Sequence, residues 1–249
     1  MWQALAWGGL ASASIYIGEA LASPLAHRPR ITGMVMGFGA GAMLSAVAYE
    51  LLPASHLGKG LGIGLGVAFV LGVAVYVVGD LLADRAGGSS RQHIATTETA
   101  GEKESISGTA IFLGTLLDGI PEAYILGITL AVGGMVSIAF VAAVFTSNIP
   151  QGIAGTVTLR SAGHSDRQIF LLWTGLTVAS ALSAGIGYLV ASAVPVNGYY
   201  SEAFAAGAVL TMLADSMMPE AFKNGGRWVG VLTAIGYAVA LGLGLAQGG

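Results

Sequence analysis

Apolar runs of about 20 residues recur along the whole chain and are separated by short polar links. A helix of about 20 apolar residues crosses the hydrocarbon core of a bilayer. The pattern therefore predicts an all-α membrane protein with eight transmembrane helices, which we call spans 1 to 8. Their predicted bounds are 2–23, 31–52, 61–83, 108–132, 135–159, 169–193, 201–221 and 228–246.

The longest polar stretch, residues 84–107, lies between spans 3 and 4. It mixes acidic and basic residues with Gly, Ser and Thr, a composition that cannot bury enough apolar surface to fold alone. We expect a flexible cytoplasmic loop here, within a single transmembrane domain that covers residues 1–249. The spans and their links use nearly the full length, so no separate soluble domain is expected.

The basic residues are distributed unevenly between the two sides of the predicted spans. Of the 10 Lys and Arg residues, all except Lys59 fall in the loops after spans 1, 3, 5 and 7. The positive-inside rule then places both termini outside the cytoplasm. No Lys or Arg precedes Arg28, so the first run lacks the basic region of a secretory signal and is interpreted as a span. We expect a multi-pass protein of the cell membrane.

The composition favours membrane helices over a soluble domain. Of the 249 residues, 55% are hydrophobic and 9% are charged, against about 25% charged in soluble domains. The 39 glycines suit helices that pack closely through small residues. The chain has no cysteine, which excludes disulfides and thiolate metal sites. As partners we expect the lipid bilayer and no nucleic acid, and assembly as a homodimer is left open.

Spans 2 and 7 share a sequence pattern at one fixed offset. Residues 37–53 and 203–219 have Phe, Ala, Gly, Ala, Leu, Ala and Pro at matching positions, with an acidic residue before the proline in each. Five spans separate the two, so they cross the membrane in opposite directions. This predicts an inverted repeat, with spans 1–3 and 6–8 around a central pair of spans 4 and 5. The alternative is chance similarity between two helices rich in Ala and Gly.

Spans 4 and 5 also resemble each other. Residues 118–123 read Asp-Gly-Ile-Pro-Glu-Ala, and residues 147–152 read Ser-Asn-Ile-Pro-Gln-Gly. Each proline lies mid-span, where it removes a backbone donor, frees the carbonyl four residues earlier and favours a bend. Such irregular backbone is tolerated in a membrane where it is buried or lines a cavity.

The polar side chains of spans 4 and 5 are the candidate functional residues. Asp118 and Glu122 are four residues apart and share a helix face, as do Ser147 and Gln151, while Asn148 and Gln151 are three apart. No Lys, Arg or His lies inside a predicted span to neutralise the two acids. A metal ion or a shared proton would relieve their repulsion, and buried acids in membranes usually face a pathway or a partner. Three hypotheses stay open: a metal or proton pathway, a protonated structural network, and an intramembrane enzyme.

Other acids fit these hypotheses less directly. Glu50, Asp215 and Ser216 lie near the ends of spans 2 and 7, where they extend a pathway or cap their helices. An aspartyl protease would draw on Asp80, Asp118 or Asp215. The Gly-x-Ser-Gly motif with a membrane histidine, which a rhomboid-type enzyme needs, is absent. We do not expect an enzyme.

With these motifs the chain resembles the ZIP (Zrt-/Irt-like) family of divalent-metal transporters. The resemblance covers eight spans, external termini, the variable loop after span 3, the span 2 pattern and the x-x-Ile-Pro-x pair in spans 4 and 5. It implies that Glu122 stands at the family's metal-binding Glu and Asp118 at its usual His. In span 5, Ser147, Asn148 and Gln151 stand at the three positions that usually supply ligands. In span 6, Val178 stands where the family has a bridging Glu.

These departures change the expected chemistry of the metal site. The remaining donors are carboxylates, amides, a hydroxyl and backbone carbonyls, a set that suits hard ions such as manganese, magnesium or calcium. Zinc also binds carboxylate oxygen. The resemblance implies one oxygen-rich site formed by Asp118, Glu122, Ser147, Asn148 and Gln151. It further implies transport of a divalent ion (zinc, iron or manganese) into the cytoplasm by alternating access. The alternative is a protein of the same fold with altered or lost metal specificity.

Overall fold

The computed structural model describes residues 1–51, 62–85, 108–133, 135–193 and 195–248. The described residues form α-helices and two π-helical segments and contain no strand. The helices are α1 (Trp2–Ser12), α2 (Ser14–Leu25), α3 (Pro29–Ala46), α4 (Gly62–Arg85), α5 (Gly108–Gly133), α6 (Ile138–Ser161), α7 (Asp166–Ala193), α8 (Pro195–Met212), α9 (Met218–Gly225) and α10 (Trp228–Gly248). The first π segment is Val47–Leu51 and the second is Leu213–Met217.

Six stretches of these helices are long and apolar enough to cross a membrane. They are Pro29–Tyr49, Gly62–Leu82, Phe112–Val132, Ile138–Ser161, Asp166–Ala193 and Trp228–Gln247. They coincide with predicted spans 2, 3, 4, 5, 6 and 8. The residues of spans 1 and 7 are also helical, but each is divided into shorter pieces. The fold is thus that of an all-α protein with helices suited to a membrane.

Predicted span 1 is divided into α1 and α2 at Ala13. The break is stabilised by side chains that donate to the Ala11 carbonyl: the Ser14 hydroxyl at 2.7 Å and the Asn148 amide of α6 at 3.4 Å. A serine hydroxyl that bonds to a carbonyl one turn earlier competes with the regular helical ladder. The division of span 1 therefore follows from its own serine and from a residue of α6.

Two π segments interrupt the helices of predicted spans 2 and 7. The first continues α3, and the second joins α8 to α9. They occupy corresponding places, since Val47 matches Leu213 and Leu51 matches Met217 at the offset that also relates the sequence patterns of the two spans. A π segment is a rare insertion in a helix and is often found near functional sites.

Helices α3 and α10 pack backbone to backbone. A Cβ atom on Gly41 would collide with the carbonyl of Thr233, and one on Gly236 would collide with the carbonyl of Phe38. Only glycine permits this approach, as in other membrane helix pairs joined through small residues.

Helices α4 and α8 pack in the same way. A Cβ atom on Gly72 would collide with the carbonyl of Phe204, and one on Gly207 would collide with the carbonyl of Phe69. Phe38 and Gly41 of α3 match Phe204 and Gly207 of α8 at the offset given above. The two helix pairs therefore use corresponding residues for the same backbone contacts.

The central helices α5 and α6 interlock with α7 and α2, respectively. A Cβ atom on Gly127 of α5 would collide with the Ala184 carbonyl of α7, and one on Gly18 of α2 would collide with the Ile149 carbonyl of α6. Ser183 of α7 also donates its hydroxyl to the carbonyl of Ile120 at 2.9 Å, next to the proline of α5. These contacts fix the segments of α5 and α6 that carry the candidate residues.

The outer surface of α4 is strongly apolar. Its most exposed large side chains include Ile63, Val67, Val70, Leu71, Val75 and Leu82, each more than half exposed. An apolar exterior of this kind suits contact with hydrocarbon rather than water. Residues 86–107 of the predicted cytoplasmic loop lie outside the described residues, and α4 continues to Arg85.

Candidate metal-binding site

Asp118 and Glu122 lie near the middle of α5, on either side of Pro121. The helix continues through this proline, and α6 likewise continues through Pro150. The four-residue spacing predicted a shared helix face, and the two carboxylates are close enough for their charges to interact. The structure therefore brings together the two acids that the sequence singled out.

Glu122 is completely buried, with 0% of its surface exposed. In the described part of the chain, no donor forms a hydrogen bond to either of its carboxylate oxygens. Burial of a carboxylate is unfavourable unless it is paired, hydrogen-bonded or bound to a metal. Glu122 thus presents two buried oxygen atoms that a cation or a proton would satisfy.

Asp118 is 8% exposed and is held by a neighbouring helix. The hydroxyl of Tyr76 in α4 donates a hydrogen bond of 3.1 Å to its Oδ1 atom. Tyr76 is not among the candidate residues predicted from the sequence. A feature of the sequence could have identified it, because Tyr76 is one of few polar side chains in span 3 and lies one helical turn before Asp80.

Ser147 is fully buried in α6 and lies beside Glu122. Its hydroxyl donates to the Val144 carbonyl at 2.9 Å, which leaves the oxygen lone pairs as acceptors. The structure therefore places Ser147 beside Glu122.

The other two predicted ligands of α6 have different surroundings. Asn148 is 3% exposed, and its amide nitrogen donates to the Ala11 carbonyl at the break between α1 and α2. Gln151 lies one helical turn after Ser147, and its Oε1 atom is buried without a partner among the described residues. Each side chain keeps a carbonyl oxygen suited to a hard cation.

The polar residues near the ends of predicted spans 2 and 7 differ in exposure and in location. Glu220 of α9 is half-buried and lies close enough to Asp118 for their charges to interact. Asp215 is exposed and Ser216 is half-buried, both in the second π segment. Glu50 lies in the first π segment, and its side chain is outside the described residues. Whether these residues extend a pathway or cap helices stays a prediction.

The donor set is rich in oxygen. Among the described residues, no three His, Cys, Asp or Glu side chains lie together as a metal-binding group. Asp118 and Ser147 lie beside Glu122, and the amide side chains of Asn148 and Gln151 follow Ser147 along α6. Two ionised carboxylates balance the charge of one divalent cation.

An apolar cavity of about 230 Å³ lies between α4, α5 and α8, next to the acid pair. The ring of Tyr76 forms part of its wall, together with Pro121, Tyr124 and Phe204. Val75 and Ile120 also line it and are themselves exposed on the outer surface. The cavity thus opens towards the apolar exterior, with Tyr76 between it and Asp118.

These features define the class of the protein as all-α, with helices that can span a membrane and a buried carboxylate pair at their centre. No known protein-family model matches the chain, and no curated protein is significantly similar to it in sequence.

Proposed function

We propose that the protein transports a divalent metal cation across the membrane by binding it at Asp118, Glu122, Ser147, Asn148 and Gln151. The observation that carries this proposal is the state of Glu122, whose two oxygens are fully buried without a hydrogen-bond donor in the described part of the chain. Asp118 lies beside it and adds a second negative charge. A divalent cation compensates both carboxylates at once, which a single neutral donor cannot do.

The proposed topology has eight spans, with the two divided helices as spans 1 and 7. Supporting this, α1 and α2 together have 23 residues, the sum of an 11-residue and a 12-residue helix, and about 20 suffice to cross a bilayer. The charge distribution then places both termini outside and the basic loops in the cytoplasm of the cell.

The proposed inverted repeat relates spans 1–3 to spans 6–8. Its support is the correspondence of the two π segments and of the glycine contacts that join α3 to α10 and α8 to α4. In such repeats the substrate binds near the midplane, between the two halves. We place the Asp118–Glu122 pair at this position because both acids lie near the middle of α5.

Transport by alternating access requires one part of the protein to move against another. The glycine contacts favour α5 and α6 moving together with α7 and α2, because those pairs are locked backbone to backbone. The pairs α3–α10 and α4–α8 would then form the surrounding frame. This division does not follow the predicted grouping of the chain into spans 1–3, spans 4–5 and spans 6–8.

The driving force for uptake is the inside-negative membrane potential. It favours inward movement by about 2.3 kcal/mol per charge per 100 mV. The chain has no Gly-x(4)-Gly-Lys-Ser/Thr motif for ATP. Transport is therefore proposed to be passive or coupled to another ion.

An uptake panel tests the function. The purified chain is reconstituted into vesicles, and uptake of zinc, iron, manganese, magnesium, cobalt and cadmium is followed with a metal-sensitive dye inside. We expect uptake of at least one ion, faster with an inside-negative potential. Binding without uptake of any ion would favour a non-transporting metal sensor, and neither binding nor uptake would contradict the proposal.

A further inference from the structure

Tyr76 makes a polar contact across two helices at the centre of the apolar fold. Its side chain is 2% exposed, and its hydroxyl lies 3.1 Å from the Oδ1 atom of Asp118. A phenol hydroxyl donates a hydrogen bond to a carboxylate, and hydrogen bonds to a charged acceptor are about twice as strong as those between neutral groups. The contact fixes which Asp118 oxygen faces α4.

The ring of Tyr76 belongs to the buried apolar core. It also lines the apolar cavity, as do Phe204, Ala205 and Ala208 of α8. A buried aromatic ring has few rotamers available in such surroundings. The buried ring restricts the direction of the hydroxyl, which points to Asp118.

The corresponding place in the other half of the protein has no hydroxyl. Two equivalent contacts align the positions of α4 with those of α10: Gly72 of α4 contacts Phe204, and Gly236 of α10 contacts Phe38. In this alignment Tyr76 of α4 corresponds to Ala240 of α10, which is 4% exposed. Tyr76 therefore has no hydroxyl-bearing counterpart in α10.

We propose that Tyr76 is a positioning residue for metal binding, which orients Asp118 through the hydrogen bond to its Oδ1 atom. This inference rests on the proposed function. Partners that orient a metal ligand from behind typically change metal affinity by about 10- to 100-fold. Tyr76 itself does not contact the metal.

The test is the variant Tyr76→Phe in the full-length protein, purified in detergent. It removes only the hydroxyl and keeps the ring as a wall of the cavity. Mn²⁺ binding is measured from the loss of the free-ion electron paramagnetic resonance signal, and Zn²⁺ binding by calorimetry. We expect an affinity about 10- to 100-fold weaker for the ion that binds. Tyr124→Phe is the matched control, since that ring lines the same cavity, and its affinity should stay unchanged.

A double-mutant cycle separates positioning from general packing. If Tyr76 acts through Asp118, then Tyr76→Phe has little further effect on affinity in an Asp118→Asn background. Equal losses in both backgrounds, or an unchanged affinity in the single variant, would overturn the proposal. If Asp118→Asn, Glu122→Gln and Tyr76→Phe all leave the metal affinity unchanged, the proposed metal site itself is wrong. If Asp118→Asn loses the metal affinity but Tyr76→Phe keeps it, only the proposed role of Tyr76 is rejected.

Thermal unfolding of the metal-free protein gives an independent readout. A merely structural hydrogen bond would lower the unfolding temperature of Tyr76→Phe in the absence of metal and leave the affinity of the folded protein unchanged. The positioning role instead predicts a reduced stabilisation by added metal, because stabilisation by a bound ligand increases with the logarithm of its concentration divided by its Kd.

Discussion

Gly39 of α3 lies directly against Ser147 of α6. A Cβ atom on Gly39 would be 3.0 Å from the Cα atom of Ser147 and 3.3 Å from its Cβ atom. The contact joins the frame formed by α3 and α10 to a residue of the proposed metal site. Any side chain at Gly39 therefore changes the position of α6 relative to the frame.

The first prediction concerns this contact. Gly39→Val should separate α3 from α6, lower the stability by about 1–3 kcal/mol through overpacking and slow metal uptake, because Ser147 moves with α6. Uptake into vesicles and thermal unfolding check it. Gly66→Ala is the control, since a Cβ atom there meets nothing within 4 Å. Normal uptake by Gly39→Val would show that this contact does not limit the transport movement.

The second prediction concerns the corresponding glycines of the two outer helix pairs. Gly41→Ala and Gly207→Ala should each destabilise the protein, by about 1–3 kcal/mol, because the new Cβ atom meets a carbonyl of the partner helix. The losses should be similar if the two pairs are equivalent. Thermal unfolding in detergent measures them. Gly242→Ala, in open space, should be neutral or slightly stabilising.

The third prediction concerns a buried hydrogen bond between α6 and α7. The indole nitrogen of Trp173 donates to the Thr156 hydroxyl at 3.0 Å, and both residues are fully buried. Thr156→Val removes the acceptor at constant shape and should lower the stability by about 1–3 kcal/mol. Thr156→Ser keeps the hydroxyl and should lose clearly less. Equal losses in the two variants would assign the effect to packing rather than to the hydrogen bond.

The fourth prediction concerns orientation in the membrane. The chain has no cysteine, so single introduced cysteines report on their own position. Met135→Cys, at an exposed position before α6, should react with a membrane-impermeant maleimide added to intact cells. Ala162→Cys, in the exposed turn after α6, should react only after permeabilisation. The reverse pattern would contradict the proposed orientation.

Much of the helical architecture could be predicted from the sequence. Apolar runs of bilayer length have few alternatives to a helix, because lipid offers no partners for backbone groups. The helix bounds of α5 and α10 differ from the predicted bounds of spans 4 and 8 by only one or two residues. The pairing of Asp118 with Glu122 was also predictable, since four-residue spacing places both on one helix face.

The divisions of spans 1 and 7 could not be predicted from the apolar pattern. The break at Ala13 depends on Asn148, which is distant in sequence, and a π segment leaves no mark in hydrophobicity. The contact of Tyr76 with Asp118 was missed for the same reason, because it depends on how α4 packs against α5. Tertiary contacts of this kind require the structure.

Metal uptake by the variant Glu122→Gln tests the central claim most directly. The substitution keeps the shape of the side chain and removes its charge, and uptake into reconstituted vesicles is measured for the ion that the wild type transports. The matched control is Glu202→Gln, which alters another buried acid, 3% exposed, in α8 outside the proposed site. We predict that Glu122→Gln abolishes uptake while Glu202→Gln retains it. Uptake by Glu122→Gln at the wild-type rate would contradict the proposed function of this carboxylate.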